Sequence, residues 1–203
     1  MKHEVSLNRD SNKLMAFPHV QMLGHRLIRK IDAGTLPRHV NPGIEICYIH
    51  KGRFNWSVEE NPVCALPGTT TLTLPWQQHG GTREVMDIGE LSWIILRPDR
   101  FDRSGKLRLG TWSSLPSAEQ HYVARQILEA PSPIVIPKYA SVCIFFKEIL
   151  AEVETQRHGR IWRVNRLIDE LLLSLARALE RSTLGTQREA FNPSSPVGRV
   201  LKL

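Results

Sequence analysis

Between residues 20 and 100 the chain alternates short apolar runs with Gly and Pro: "GHRLIRKID", "GIEICYIHKG", "RFNWSVEENP", "CALPGTTTLTLP" and "LSWIILRP". Several repeat with period two, the spacing that sends successive side chains to opposite faces of a strand. Phe54, Trp56 and Val58 share one face, while Arg53, Asn55 and Ser57 share the other. "EENP" is a turn signal and "TTTLTL" is β-branched and strand-like. Strands this short and this closely spaced predict an antiparallel sandwich or barrel over residues 1–115.

Near residue 115 the period becomes helical. Ser117 is placed as an N-cap, and Tyr122, Val123 and Ile127 mark a buried face behind it. "PSPIVIP" (131–137) is too rich in proline for a helix and reads as an extended connector. Val142, Phe145, Phe146, Ile149, Leu150 and Val153 then recur with the spacing of an amphipathic helix, which Gly159 ends or breaks.

A further helix is predicted over 160–182. Its broad apolar stripe includes Ile161, Val164, Leu167, Leu171 and Leu175, with Trp162 and Leu173 together on the opposite side. Two apolar faces suit either a helix sunk in the core or one that also meets a partner. On the second reading Trp162, Leu167, Leu171, Leu173 and Leu175 form a homodimer contact. Two antiparallel copies would then set Arg163 and Arg166 of one chain near Asp169, Glu170 or Glu180 of the other.

Residues 116–182 are therefore assigned to a helical region that packs on the barrel and dimerises. Residues 183–203 are assigned to a linker and the start of another helix, "VGRVLKL", expected to run on into a further domain.

Composition changes this picture little. A net charge of +7 invites a nucleic-acid reading, but the excess is spread along the chain. Its two concentrations, Arg97 to Arg108 and Arg157 to Arg166, read as solvated faces. No apolar run approaches the ~20 residues of a membrane span, and the polar N-terminus lacks a signal-peptide core. Cys47, Cys64 and Cys143 fit neither a zinc spacing nor a disulfide framework and read as reduced residues of a cytoplasmic protein.

The candidate chemistry begins with "HVNPGIEICYIHKG" (39–52), where His39 precedes Glu45 and Gly52 follows it. These residues could hold a metal, line a pocket or sit in a core. If Glu45 points inward, period two sends Cys47 and Ile49 inward and Ile46, Tyr48 and His50 outward.

Together with "ALPGTTTLTLPWQQHGG" (65–81), this stretch resembles the two motifs of the cupin barrel. Gly34, His39, Glu45 and Gly52 match the first, with Asn41 in place of its second histidine. Pro75 and His79 match the second, one residue short and without its glycine.

The whole order is a cupin-like barrel, then "LSWIILRPDRF" with Trp93, Arg97 and Pro98, then helices and a linker. That order resembles the N-terminal ligand-binding and dimerisation domain of AraC-type bacterial transcription regulators. The resemblance implies a mainly β fold, a cupin-like jelly roll or double-stranded β-helix, with C-terminal helices. It also implies a small-molecule effector, a homodimer, and DNA contact only through a C-terminal helix-turn-helix domain absent from this chain.

The expected ligand-binding residues are His39, Glu45, Trp56, His79, Trp93 and Arg97. Carboxylate, imidazole and indole together would suit a sugar. No cofactor and no metal are expected; a metal, if bound, would be held by His39, Glu45 and His79. The alternative function is a metal-dependent cupin enzyme, an oxygenase or sugar isomerase.

Overall fold

Both faces of the larger sheet are covered, which is why its strands read as nearly continuous apolar runs. The structure is a computed structural model that describes residues 4–31, 34–155 and 157–191. Its strands are β1 (Val5–Asn8), β2 (Val20–Ile28), β3 (Ile44–Gly52), β4 (Phe54–Val58), β5 (Asn61–Ala65), β6 (Thr70–Thr73), β7 (His79–Gly81) and β8 (Gly89–Leu96). Short strands β9 (Arg100–Phe101) and β10 (Leu107–Arg108) precede α1 (Ser117–Glu129). Then come β11 (Ile134–Ile136), α2 (Val142–Glu154) and α3 (Arg160–Phe191).

The six-stranded sheet has the order β1-β2-β8-β3-β6-β11, and β5-β4-β7 forms the opposing sheet. Every pairing within these two sheets is antiparallel. This is the expected cupin-like double-stranded β-helix with C-terminal helices.

Period two sorts the large sheet. Inward go Glu45, Cys47 and Ile49 on β3 and Leu91, Trp93 and Ile95 on β8. Outward go Ile46, Tyr48, Ile94 and Leu96, which pack with Phe146, Ile149, Ile168 and Leu172 of the helices. A smaller cluster between the sheets contains Ile49, Phe54, Val58, Val63 and Leu91. Burying each such side chain stabilises by roughly 1.5–3 kcal/mol.

The helical half departs from expectation at the start of α1, at the end of α3 and along the buried stripe of α3. Ser117 is the first residue of α1 rather than its cap: Pro116 precedes it, and Gln120 N–H donates to the Pro116 carbonyl at 3.0 Å. The connector 131–137 is extended as expected, and within it Ile134 and Ile136 pair with Leu72 and Thr70.

The helix expected to end at residue 182 continues to Phe191. No proline interrupts it before Pro193, and Gly185 alone costs only ~1 kcal/mol. The rest of the expected linker and the start of the next helix, residues 192–203, lie outside the described residues.

Finally, Leu171 and Leu175 are fully buried inside their own chain, because α1, α2 and the sheet together surround the main stripe of α3. They are not available to a partner. Leu167 and Leu173 are half-buried against the same core, whereas Trp162 is 70% exposed.

The charges expected to pair between copies are engaged within the chain. Asp169 is buried and accepts from the Ser113 hydroxyl (2.6 Å) and from Ser114 N–H and Oγ (both 2.8 Å). Arg163 meets Glu148 and Glu152, Arg166 approaches Glu170, and Glu180 accepts from the Tyr122 hydroxyl.

Candidate functional site

The chain from Leu74 to Gln77 closes a turn in which Gln77 N–H donates to the Leu74 carbonyl at 2.9 Å. Pro75 stands at the position where its fixed φ suits such a turn. That turn carries the chain from β6 in the large sheet to β7 in the small one and delivers His79. Despite the shortened motif, His79 lies on the site. It exchanges two backbone hydrogen bonds of 2.9 Å with His39, so the strand ends of two distant segments hold the imidazoles together. The ring centroids are 4.5 Å apart.

Glu45 reaches this pair from β3. His79 Nδ1–H donates to the Gln77 carbonyl (3.0 Å), and its Nε2 lies 2.8 Å from Glu45 Oε2. The Asn41 amide nitrogen also lies 3.1 Å from this Nε2. Asn41 Nδ2 (3.0 Å) and Thr73 Oγ1 (3.2 Å) donate to the same carboxylate oxygen.

Burial by itself would raise the Glu45 pKa, but the His79 hydrogen bond and charge, with His39 and Thr73, hold it below its ordinary value. Burial would likewise lower that of His79, and the Glu45 bond and charge hold it up. Each residue therefore holds the other toward its charged form, with side chains 17% and 8% exposed. Beside it Cys47 is pushed up by burial and by the Glu45 charge, so its thiol stays protonated.

His39 Nδ1–H donates to the Pro37 carbonyl at 2.8 Å. One nitrogen of His39, one of His79 and one oxygen of Glu45 lie within 4.8 Å of one another. Two imidazoles and a carboxylate form a donor set that iron or zinc accepts. For that, His79 Nε2 must give up the proton it shares with Glu45. Asn41, at the place of a further histidine, has its Nδ2 3.0 Å from Glu45 Oε2 and 3.1 Å from His79 Nε2.

These residues close one end of a cavity of about 260 Å³ between the sheets. Trp93 enters from β8 and Trp56 from β4 of the opposing sheet. Trp93 lies directly over Gly24 of β2, where an added Cβ would fall 2.3 Å from an indole carbon. The Trp56 indole nitrogen is buried with no hydrogen-bond partner among the described residues.

Five of the six expected ligand-binding residues, His39, Glu45, Trp56, His79 and Trp93, thus line one cavity. Arg97 does not. Its period would carry it inward after Trp93 and Ile95, but β8 ends at Leu96, and Arg97 is exposed with its backbone N–H on the His19 carbonyl. Asn41, Thr73 and Gly24 were not foreseen as parts of the site. The alternation of Thr71 and Thr73 along "TTTLTL" was the available signal for Thr73.

A second polar cluster sits on the outer face of the large sheet. The Ser92 hydroxyl lies 3.0 Å from His25 Nδ1 and 2.8 Å from His50 Nε2, and Glu90 lies 3.3 Å from His25. It has the composition of a hydrolytic triad. Ser92 is fully buried, however, and burial takes His50 down to about 4, so the group satisfies buried polar atoms instead.

The family model for the AraC-like ligand binding domain matches residues 25–132. No match to a curated protein is found. Among solved structures, the chain is similar to the AraC-like transcriptional activator CuxR, with a TM-score of 0.46 at 10% identity over 86% of this chain and 70% of that one. It is also similar to an RmlC-like cupin protein with a double-stranded β-helix fold from Methanocaldococcus jannaschii (TM-score 0.32, 17% identity, 48% of this chain and 83% of that one). A conserved protein of unknown function from Streptococcus pyogenes gives 0.33 and 13% over 48% and 77%.

Proposed function

The chain belongs to the family of AraC-like ligand-binding domains, and from that premise we propose that it is the effector-sensing and dimerisation domain of a cytoplasmic AraC-type transcription regulator. On this reading a small molecule binds between the sheets, and DNA is contacted only through a helix-turn-helix domain. Effector and DNA-binding arrangement are then linked by a coupling free energy. The observation that carries it is the cavity, in which both indoles and the Glu45–His79 pair converge inside the family domain. No helix among the described residues is long and apolar enough to cross a membrane.

The test is a thermal-shift screen of small molecules against the wild type and a Trp93→Ala/Glu45→Gln variant. Hits should lose their effect in the variant while its circular dichroism stays native. An effector crystallised against the helices would overturn the reading.

A second reading, a metal-dependent cupin enzyme, is favoured by the His39, Glu45 and His79 constellation. Elemental analysis separates the two. About one iron, zinc, manganese or nickel per chain, lost in Glu45→Ala, would support the enzyme.

A further inference from the structure

We propose that a cleft at the start of α3 binds a doubly charged oxyanion of the phosphate type, free or as the head of a small ester. The cleft has a volume of about 690 Å³ and shares no lining residue with the barrel cavity. One wall is the segment 111–114 that follows β10, and the other is the first turn of α3 with the residues leading into it. The site is independent of what occupies the barrel.

Its charge is one-sided. Arg157, His158 and Arg160 line the cleft, and no carboxylate does. Further along α3 the arginines are engaged: Arg163 pairs with Glu148 and Glu152, and Arg166 donates to the Ser114 hydroxyl. Buried Asp169 is satisfied in turn by Ser113 and Ser114. Two guanidinium groups at one opening with no acid between them match a dianion.

Unmet hydrogen bonds gather at the same place. Ten buried side-chain polar atoms lack a partner among the described residues, and five belong here: both His19 nitrogens, Trp112 Nε1, Arg160 Nη1 and Asn165 Oδ1. Such groups are costly unless something meets them. Two of them are N–H donors braced by rings. The Trp112 indole lies flat on His19, with centroids 4.2 Å apart and planes at 6°. The Arg160 guanidinium stands over Phe17 at 5.8 Å, and Phe17 meets His19 edge-on. Donors held in this way lose little freedom when a ligand arrives.

An acceptor-only ligand can satisfy both donors, whereas a cation can satisfy neither. The first turn of α3 adds main-chain N–H groups and the positive end of a 32-residue helix on the same side.

The test follows the indole N–H signals of the five tryptophans by NMR while sodium phosphate is added at constant ionic strength. The Trp112 signal, assigned through Trp112→Phe, should move and reach half-saturation near ~1 mM, as a few charge-assisted hydrogen bonds allow. Arg160→Gln should weaken binding at least about tenfold. Arg157→Gln, at an exposed position, should weaken it in the same sense with the fold untouched. Arg163→Gln removes the same charge from an arginine already paired and should leave binding unchanged. Glycerol 3-phosphate run in parallel tells the sources apart: tighter binding than phosphate identifies an ester head, weaker binding the free ion.

No movement of the Trp112 signal up to about 20 mM phosphate overturns the proposal. An equal response to acetate overturns the dianion. Full binding in both Arg157→Gln and Arg160→Gln, or an equal loss in Arg163→Gln, overturns the assignment to this cleft. Movement of the Trp56 or Trp93 signal in place of Trp112 would put the anion in the barrel and overturn it too.

Discussion

Replacing His79 by alanine takes from Glu45 its charged hydrogen-bond partner and leaves it two neutral donors, Asn41 at 3.0 Å and Thr73 at 3.2 Å. With charge centres ~4 Å apart and an effective dielectric near 20, the pair attracts by ~4 kcal/mol. Desolvation of the two ions offsets most of that gain, so the intact pair adds little net stability. Removing one partner is different, because the other charge stays buried, and such changes cost ~3–5 kcal/mol.

The pH dependence follows from the two shifts. His79 is held above its ordinary value near 6.5, so its share of stability is present below ~6.5 and lost as pH rises through the folded-state pKa. Glu45 is held below 4.5, so its share is present above ~4.5 and lost as pH falls through its folded-state pKa. The pair thus stabilises most between these limits. His79→Ala should cost ~3 kcal/mol near pH 6 and clearly less near pH 4 or pH 9.

In urea unfolding, with a slope of ~2 kcal/mol/M, that is a midpoint ~1.5 M lower. Glu45→Gln added to His79→Ala should restore part of the loss, because the stranded charge is gone. A cost under ~1 kcal/mol at pH 6, or the same cost at all three pH values with no recovery in the double variant, would falsify the ion-pair description.

Four further outcomes are expected. Gly24→Ala puts a methyl within 2.3–2.7 Å of three Trp93 indole atoms; it should cost ~1–3 kcal/mol by chemical denaturation and change the near-UV dichroism. Asp169→Ala leaves Ser113 and the Ser114 N–H and hydroxyl without their acceptor and should cost ~3 kcal/mol by chemical denaturation. Trp162→Asp should give a folded monomer by sedimentation if α3 mediates the dimer, whereas Leu171→Asp should fail to fold; a folded Trp162→Asp dimer would place the interface elsewhere. His19, stacked on Trp112, is pushed by burial to about 4, so its stabilisation is full above ~6.5 and is lost as pH falls toward 4. That removes ~2 kcal/mol between pH 7 and pH 5, and His19→Phe should flatten this limb of the unfolding curve.

What was legible in the sequence and what was not divide along one line: local periodicity is written in the chain, and partnership between distant segments is not. Period two was enough to send Glu45 and Cys47 inward and Ile46 and Tyr48 toward the helices, because a strand's faces depend only on its own residues. The same rule misplaced Arg97, since alternation gives no notice of the residue at which a strand stops.

Helical spacing likewise found the apolar stripe of α3, but it cannot say which of two apolar faces is already used. α1, α2 and the large sheet cover Leu171 and Leu175, and that is a fact about three other elements. Asn41 is the sharper case. Viewed along the chain it is a histidine lost from a ligand set. In the fold it sits beside an acid and a base that come from different sheets, its amide nitrogen 3.0 Å from Glu45 Oε2 and 3.1 Å from His79 Nε2, and no spacing along the chain announces that meeting.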